Sequence, residues 1–397
     1  MKHDVAIVGA GMVGTTLAVA LNRAGFDVAL IEAGHPVHYD PKHDYDLRVS
    51  ALSAASQRLL QRLEIWPAIA AGRLSPYREM HVWDSTGHGL LHFDAAELGL
   101  PELGHIVENN LIQHAAWQAL DSVSVYCPAR LQALEPRADG YHLKLEDQDP
   151  IEARLVVGAD GAESRVRELA GIATTGWSYE QRGIVCNVST EKPHKHTAWQ
   201  RFLPTGPLAF LPLADGRCSI VWSADAAESD ALMKLDDEVF KQRLGEAFGG
   251  ELGAITALSR RAAFPLRMLH AEAYVQPHLA LVGDAAHVIH PLAGQGVNLG
   301  LLDVAALVEV LSEARKENRD TGELRVLQRY ERWRRGDNLV MTAATDGLKR
   351  LFGSTHPLLK FARNHGLGLV NATTPLKNLF IRHAMGLAGD LPALVRM

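Results

Sequence analysis

The most constraining stretch lies near the start of the chain, where a short apolar run meets three spaced glycines. Asp4-Val5-Ala6-Ile7-Val8 is rich in β-formers and stops at Gly9-Ala10-Gly11-Met12-Val13-Gly14. Thr15 to Ala24 then carries apolar residues at helical spacing (Leu17, Ala20, Leu21, Ala24), with Gly25 suited to the position that ends a helix. A second apolar run, Asp27 to Ile31, ends at Glu32, 18 residues after Gly14. Strand, GxGxxG, helix, strand, acid is the order of a parallel βαβ unit that binds a dinucleotide. Gly9 makes the tight turn, Gly11 lets the backbone approach a pyrophosphate, Gly14 lets the helix pack closely, and Glu32 accepts from ribose hydroxyls. A glycine-rich turn without a ligand accounts for the glycines but does not require the acid.

Two further stretches have the same strand–turn–helix form. Leu279 to Val282 reads as a buried strand, and Leu301 to Leu311 as a long helix. Between them run Gly283, Asp284, His287, His290, Pro291, Gly294, Gln295, Gly296 and Asn298, too polar and glycine-rich for a core element. Free N–H groups and a helix dipole converge at such a turn and favour an anion. Ala153 to Val157 leads into Gly158-Ala159-Asp160-Gly161-Ala162-Glu163-Ser164-Arg165-Val166-Arg167, with Asp160 in the turn. Arg48, in Asp46-Leu47-Arg48-Val49-Ser50-Ala51 ahead of a helix from Ala54 to Leu63, either reaches a pyrophosphate or ribose or is a solvated surface arginine.

From about Tyr77 the pattern changes to alternation. Met80 to Asp84 and Gly89 to Asp94 read as a hairpin, and Gly104 to Asn110 as a turn leading to a helix, Leu111 to Leu120. Ile184 to Val188, Trp199 to Leu203, Ala209 to Leu213 and Cys218 to Trp222, separated by Gly/Pro/Asp turns, predict a mostly antiparallel sheet. A helix from Asp236 to Phe248 and a strand near Ala262 to Leu266 follow, and a helix is expected from Leu324 to Thr345.

The net charge of −6 argues against nucleic acid as the main partner. Three scattered cysteines (Cys127, Cys186, Cys218) suggest a reducing, cytoplasmic setting. No basic, cleavable leader precedes the first strand, and no run approaches the ~18 apolar residues that span a bilayer. Gly347 to Ala388 nevertheless holds six basic residues (Lys349, Arg350, Lys360, Arg363, Lys377, Arg382) and no acid. Interleaved with Leu and Phe, they suit either an anionic membrane face or a solvated helix face. HExxH, GxSxG and P-loop patterns are absent, and no metal site is expected. The pairs His194/His196 and His287/His290 read as loop and turn residues.

Taken together, GxGxxG with Glu32, GADGxxSxVR from Gly158 and GDAAHxxHPLAGQGxNLG from Gly283 resemble the FAD fingerprints of flavoprotein monooxygenases like para-hydroxybenzoate hydroxylase. With Asp46 to Ala51 and Ile106 to Asn109, the chain resembles the ubiquinone-biosynthesis hydroxylases in particular, over nearly its whole length. The resemblance implies an α/β fold: a Rossmann-like FAD-binding domain (1–75, 100–180 and 268–345), an inserted mostly antiparallel substrate sheet (76–99 and 181–267) and C-terminal helices (346–397). It implies that Gly9, Gly11, Gly14 and Glu32 hold the ADP half of FAD, with Arg48 near the phosphates and flavin edge. Asp160 is then placed beside the FAD, and Gly283 and Asp284 at the ribityl chain. Pro291, Gly294, Gln295, Gly296 and Asn298 pass along the isoalloxazine, with backbone N–H groups that stabilise reduced flavin.

Ring hydroxylation of a polyprenylphenol or polyprenyl-benzoquinol through a flavin C4a-hydroperoxide is the implied reaction, with dioxygen and NAD(P)H or a reductase partner as co-reactants. His290 and Pro291 are the candidate catalytic side chains; His290 as a packing residue fits equally well. A polyprenyl tail, at roughly 0.8 kcal/mol per CH2, keeps the substrate in the bilayer. The enzyme then docks peripherally on the inner face of the plasma membrane or works with other ubiquinone-biosynthesis proteins. A hydroxylase of small soluble aromatics, a flavin-dependent prenyl reductase and a scaffold without turnover are the alternatives. The oligomeric state is open at this stage.

Overall fold

The computed structural model describes residues 2–36, 38–87, 89–289, 296–353, 377 and 385–396. His290, Pro291, Gly294, Gln295, Lys360, Arg363 and Arg382 lie outside the described residues. The strand Lys2–Val8 sits in the middle of a parallel layer, pairing Val5 with Val28 on one side and with Leu155 on the other. Flanked on both edges and covered on both faces, Val5, Ala6 and Ile7 are fully buried, so the strand is a continuous apolar run and not an alternating one. The order across the layer is Val275–Gln276, Leu279–Leu281, Ile151–Gly158, Lys2–Val8, Val28–Ile31, Ser124–Tyr126. Parallel pairing points the ends of Lys2–Val8, Ile151–Gly158 and Leu279–Leu281 the same way, so their three turns lie side by side. Backbone bonds tie them together: Ala159 N–H donates to Val8 O (2.8 Å) and Val282 N–H to Gly158 O (3.0 Å).

The second sheet runs His287–Val288, Ala262–Ala271, Thr174–Thr190, Cys218–Asp225, Gly206–Pro212, Thr197–Leu203, Glu79–Asp84, Leu90–Asp94. It is antiparallel except where Thr197–Leu203 pairs in parallel with Glu79–Asp84, matching the expected mostly antiparallel lobe and its hairpin. One face is filled by Phe210, Trp222, Phe240 and Phe248, with the Phe210 and Phe248 rings stacked at 3.8 Å. Thr174–Thr190 is a single strand of 17 residues, where only Ile184 to Val188 was expected; its exposed first half carries no apolar pattern. Positions 180 and 268 therefore fall inside the strands Thr174–Thr190 and Ala262–Ala271.

Two expectations about local structure are corrected. Gly104–Glu108 is a strand, not a turn, pairing with Val49–Leu52 and Ser75–Tyr77 in a small third sheet. All five of its residues are buried, which removes the alternation that marks a half-exposed strand. The late helix spans Leu324–Gly353, beyond Thr345, and its last turn stacks Phe352 on Phe202 of the second sheet at 3.8 Å. No helix among the described residues is long and apolar enough to cross a membrane.

Candidate functional site

The three glycines of the first turn do three different things. Gly9 has φ +99°, and a Cβ there would lie 2.5 Å from Ala159 O. Gly14 brings the helix Met12–Arg23 against the turn itself; a Cβ would lie 1.9 Å from Gly9 O. Around Gly11 there is open space to 4 Å. No side chain caps this helix, and its first turn holds no acid, so its leading N–H groups face outward with the positive end of the dipole. Glu32 orders the same turn: its Oε2 accepts from Ala10 N–H (2.7 Å) and its Oε1 from Gly34 N–H (2.8 Å). Each carboxylate oxygen keeps a second lone pair for a hydroxyl.

A hollow of about 740 Å³ lies over these residues, lined by Gly9, Gly11, Glu32, Arg130, Asp160 and Arg165 among others. Asp160 caps the next helix through Val166 N–H (3.0 Å), while its Oδ1 is buried without a hydrogen-bond partner among the described residues. An open glycine, an uncapped helix and an orphaned acceptor suit a dinucleotide with phosphates and sugar hydroxyls. A second hollow, about 510 Å³ over the helix Asp237–Phe248, is lined by surface groups such as Glu238, Lys241 and Gln242 and shares no residue with the first.

The third turn is built by a buried ion cluster. Asp303, fully buried on the helix Gly296–Lys316, accepts from Gly283 N–H (3.0 Å) and lies 2.6 Å from His287 Nε2 through the same oxygen. Its other oxygen accepts from Arg334 Nε (2.8 Å), and Arg334 in turn donates to Asn338 (3.0 Å). Burial works to raise the Asp303 pKa, but His287 and Arg334 overcome it and hold the carboxyl down at about 2. Arg167 crosses between motifs, donating to Ala285 O (2.9 Å) and Ala162 O (2.8 Å). Val13 packs under the turn; a Cβ on Gly300 would meet its Cγ2 at 2.7 Å. The result is a Gly283 held at φ +57° and a neighbouring Asp284 presented outward.

Asp284 is exposed to solvent. Protein crowds behind it, and the loss of water there raises its pKa, while His287, Arg48 and Arg267 pull the other way. Its open face leaves the carboxylate available to a ligand from solvent. Arg48 is also exposed and near enough to act on the Asp284 charge, with its guanidinium 5.6 Å over the Phe264 ring of the second sheet. Thus Arg48 does not line the Gly11 hollow. The Asn298 side chain is committed to protein: it donates to Ala51 O (2.8 Å) and accepts from Ser53 N–H (2.9 Å) and Ser56 Oγ (2.7 Å). Gly296 opens its helix.

The sequence did not single out Asp303, Arg334 or Asn338. A signal was present: Asp303 sits in an otherwise apolar helical stretch, where a charge needs a buried partner.

A parallel sheet with a glycine-lined nucleotide turn, an antiparallel sheet strung from it and an open carboxylate on a third turn define an FAD-binding oxidoreductase. Residues 2–343 match the FAD binding domain family. The chain is 43% identical to 3-demethoxyubiquinol 3-hydroxylase of Escherichia coli K12, over 97% of this chain and 98% of that protein. It is 41% identical to ubiquinone hydroxylase UbiL of Rhodospirillum rubrum, over 99% and 92% respectively. The fold matches p-nitrophenol 4-monooxygenase PnpA of Pseudomonas putida with a TM-score of 0.79 at 20% identity, covering 98% of each chain. This chain belongs to the FAD-binding-domain family and, within it, to the ubiquinone-biosynthesis hydroxylases; it is an FAD-dependent monooxygenase.

Proposed function

We propose that this chain hydroxylates the aromatic ring of a polyprenylated phenol or benzoquinol in ubiquinone biosynthesis. The observation that carries the reading is the 43% identity, across nearly the whole of both chains, to 3-demethoxyubiquinol 3-hydroxylase. Bound FAD supplies the chemistry: two electrons, from NAD(P)H or a reductase partner, activate dioxygen, and one oxygen atom goes to an electron-rich ring carbon while the other leaves as water.

The chain's own residues bind, orient and exclude water. Gly9, Gly11 and Gly14 admit the pyrophosphate to the N-terminus of the helix Met12–Arg23, and Glu32 receives ribose hydroxyls beside its bonds to Ala10 and Gly34. Asp160 contributes its open acceptor, Oδ1, from the neighbouring turn. Gly283 and Asp284 take the ribityl hydroxyls, with the Arg48 charge acting on Asp284. His290, Pro291, Gly294, Gln295, Gly296 and Asn298 are assigned to the ring system on the strength of the sequence motif that they share. Asn298 serves there through its backbone, since its amide is already paired. The second sheet, with most of 76–99 and 181–267, forms the substrate side and the parallel layer the cofactor side, the boundaries at 180, 268 and 345 falling inside continuous elements.

A strain of Escherichia coli lacking its 3-demethoxyubiquinol 3-hydroxylase tests this directly. Expression of this chain restores ubiquinone and clears the demethoxy precursor, read by mass spectrometry of extracted quinones. Persistence of the precursor with the chain expressed rejects that ring position. Peripheral docking on anionic membrane rests on the basic composition of 347–388. Lys377 does not contribute to such a face: it is 5% exposed and paired with Glu97 at 2.6 Å. Neutralising Lys360, Arg363 and Arg382 is expected to reduce flotation with anionic liposomes; undiminished flotation rejects the docking.

A further inference from the structure

We propose that Glu79, His81 and His92 form a binding site for one divalent transition-metal ion of the class that zinc(II) represents, on the hairpin of the second sheet. The site follows from strand geometry. Side chains two apart share a face of a strand, which puts Glu79 beside His81. His81 and His92 are direct cross-strand partners in the register of Glu79–Asp84 with Leu90–Asp94. Three ligands of the type that holds zinc thus meet on one face of two adjacent strands.

Distances favour an ion at their centre. Glu79 Oε2 lies 3.3 Å from His81 Nε2 and 3.0 Å from His92 Nε2, and the three ligand atoms all fall within 4.8 Å of one another. A tetrahedral ion with ligands at about 2.0–2.2 Å places neighbouring ligand atoms roughly 3.3 Å apart. The two carboxylate–imidazole spacings already match that value, and the two imidazole nitrogens lie within 4.8 Å of each other. Without an ion, both imidazoles turn to the same carboxylate oxygen. With one, they offer it their Nε2 lone pairs, and the remaining coordination positions go to solvent.

The donors are also held in place. The His81 ring lies 4.6 Å from Trp199 at 34°, and 4.2 Å from His92. Glu79, His81 and His92 are each half-buried, leaving a route for the ion. On the alternate positions Met80, Val82 and Phe93 pack with Phe202 and Phe352. An ion here would cross-link the two strands on one face while the apolar cluster holds them on the other. Imidazole and carboxylate donors suit zinc and its neighbours better than calcium or magnesium, which prefer all-oxygen sets.

The test uses the full, untagged, FAD-loaded chain, stripped with chelator and titrated with zinc(II) by calorimetry. Cobalt(II) serves as the absorbing substitute. One zinc per chain and visible cobalt bands are expected in the wild type. At least tenfold weaker binding is expected in the H81Q/H92Q double variant and in Glu79→Gln, which keeps both histidines. Zinc should raise the wild-type Tm and leave that of the double variant unmoved. No zinc above background in the wild type, or equal binding in wild type and Glu79→Gln, overturns the proposal. If the double variant does not fold, Glu79→Gln and the cobalt spectrum decide alone.

Discussion

Two glycine-bearing turns stand at the ends of parallel strands that flank Ile151–Gly158, and they are made in opposite ways. After Lys2–Val8 the turn is shaped by omission: Gly11 leaves open space, Gly14 lets the helix touch the Gly9 carbonyl, and the helix end is uncapped. After Leu279–Leu281 the turn is shaped by addition, with Asp303, His287 and Arg334 buried beneath it as an ion cluster. Both arrangements expose polar groups to an incoming ligand. The first depends on the atoms missing at Gly9 and Gly14; the second depends besides on charges buried out of sight.

Breaking the second turn should therefore hurt the fold most. Asp303→Ala strands Arg334 and His287 in the interior and is expected to cost about 3–5 kcal/mol of unfolding free energy, measured by denaturant titration. A loss below about 1 kcal/mol would mean that the cluster does not brace the turn.

Acid should act on buried groups in two stages. His105 and His270 are held near pKa 4, chiefly by burial, against about 6.5 in the unfolded chain. Between those values the unfolded state binds the extra protons, so stability falls as pH drops from about 6.5 to 4, by up to ~3 kcal/mol per group. Asp303, held at about 2, adds a further loss as pH falls from about 3.9 toward 2. His105→Gln should flatten the first slope by one proton; an unchanged slope would refute the assignment.

Next comes the contrast inside the first turn. Gly14→Ala forces an atom against Gly9 O and is expected to cost about 1–3 kcal/mol in stability. Gly11→Ala should leave the unfolding midpoint within about 0.5 kcal/mol. It should weaken FAD binding at least tenfold, about 1.4 kcal/mol, followed by flavin fluorescence. If both variants lose stability equally, the division of labour among the glycines is wrong. Asp284→Asn, at an exposed carboxylate, is the mildest for the fold: an unchanged Tm with FAD affinity reduced about tenfold, or ~1.4 kcal/mol. A Tm drop as large as that of Asp303→Ala would erase the contrast between presented and buried acids.

The same contrast explains what could be read from the sequence. Glycine requirements are local, so the turn at Gly9, its helix and Glu32 stand out within one short stretch. The ion cluster joins Asp303 to Arg334 and Asn338 on a different helix, and nothing in their spacing announces the contact. Gly104–Glu108 does not read as a strand because a strand covered on both faces loses its alternation. Glu79, His81 and His92 escaped notice because their meeting depends on hairpin register. The pairs at His194/His196 and His287/His290 drew attention by adjacency. Of these, His194 contacts Leu213 O (3.1 Å) and His287 Asp303, which are structural uses.

The strand Thr174–Thr190 is a spar 17 residues long, with no loop to absorb displacement along its length. Its one irregularity in the ladder with Ala262–Ala271 is the register shift between Ser178 and Gln181, where Glu180 takes φ +53°. Tyr179 and Glu180 are therefore left out of the ladder with Ala262–Ala271. Tyr179 stands there, its hydroxyl 3.4 Å from Asp346 on the long helix. The longest strand of the second sheet is thus tied to the long helix at the one place where its pairing with Ala262–Ala271 is broken.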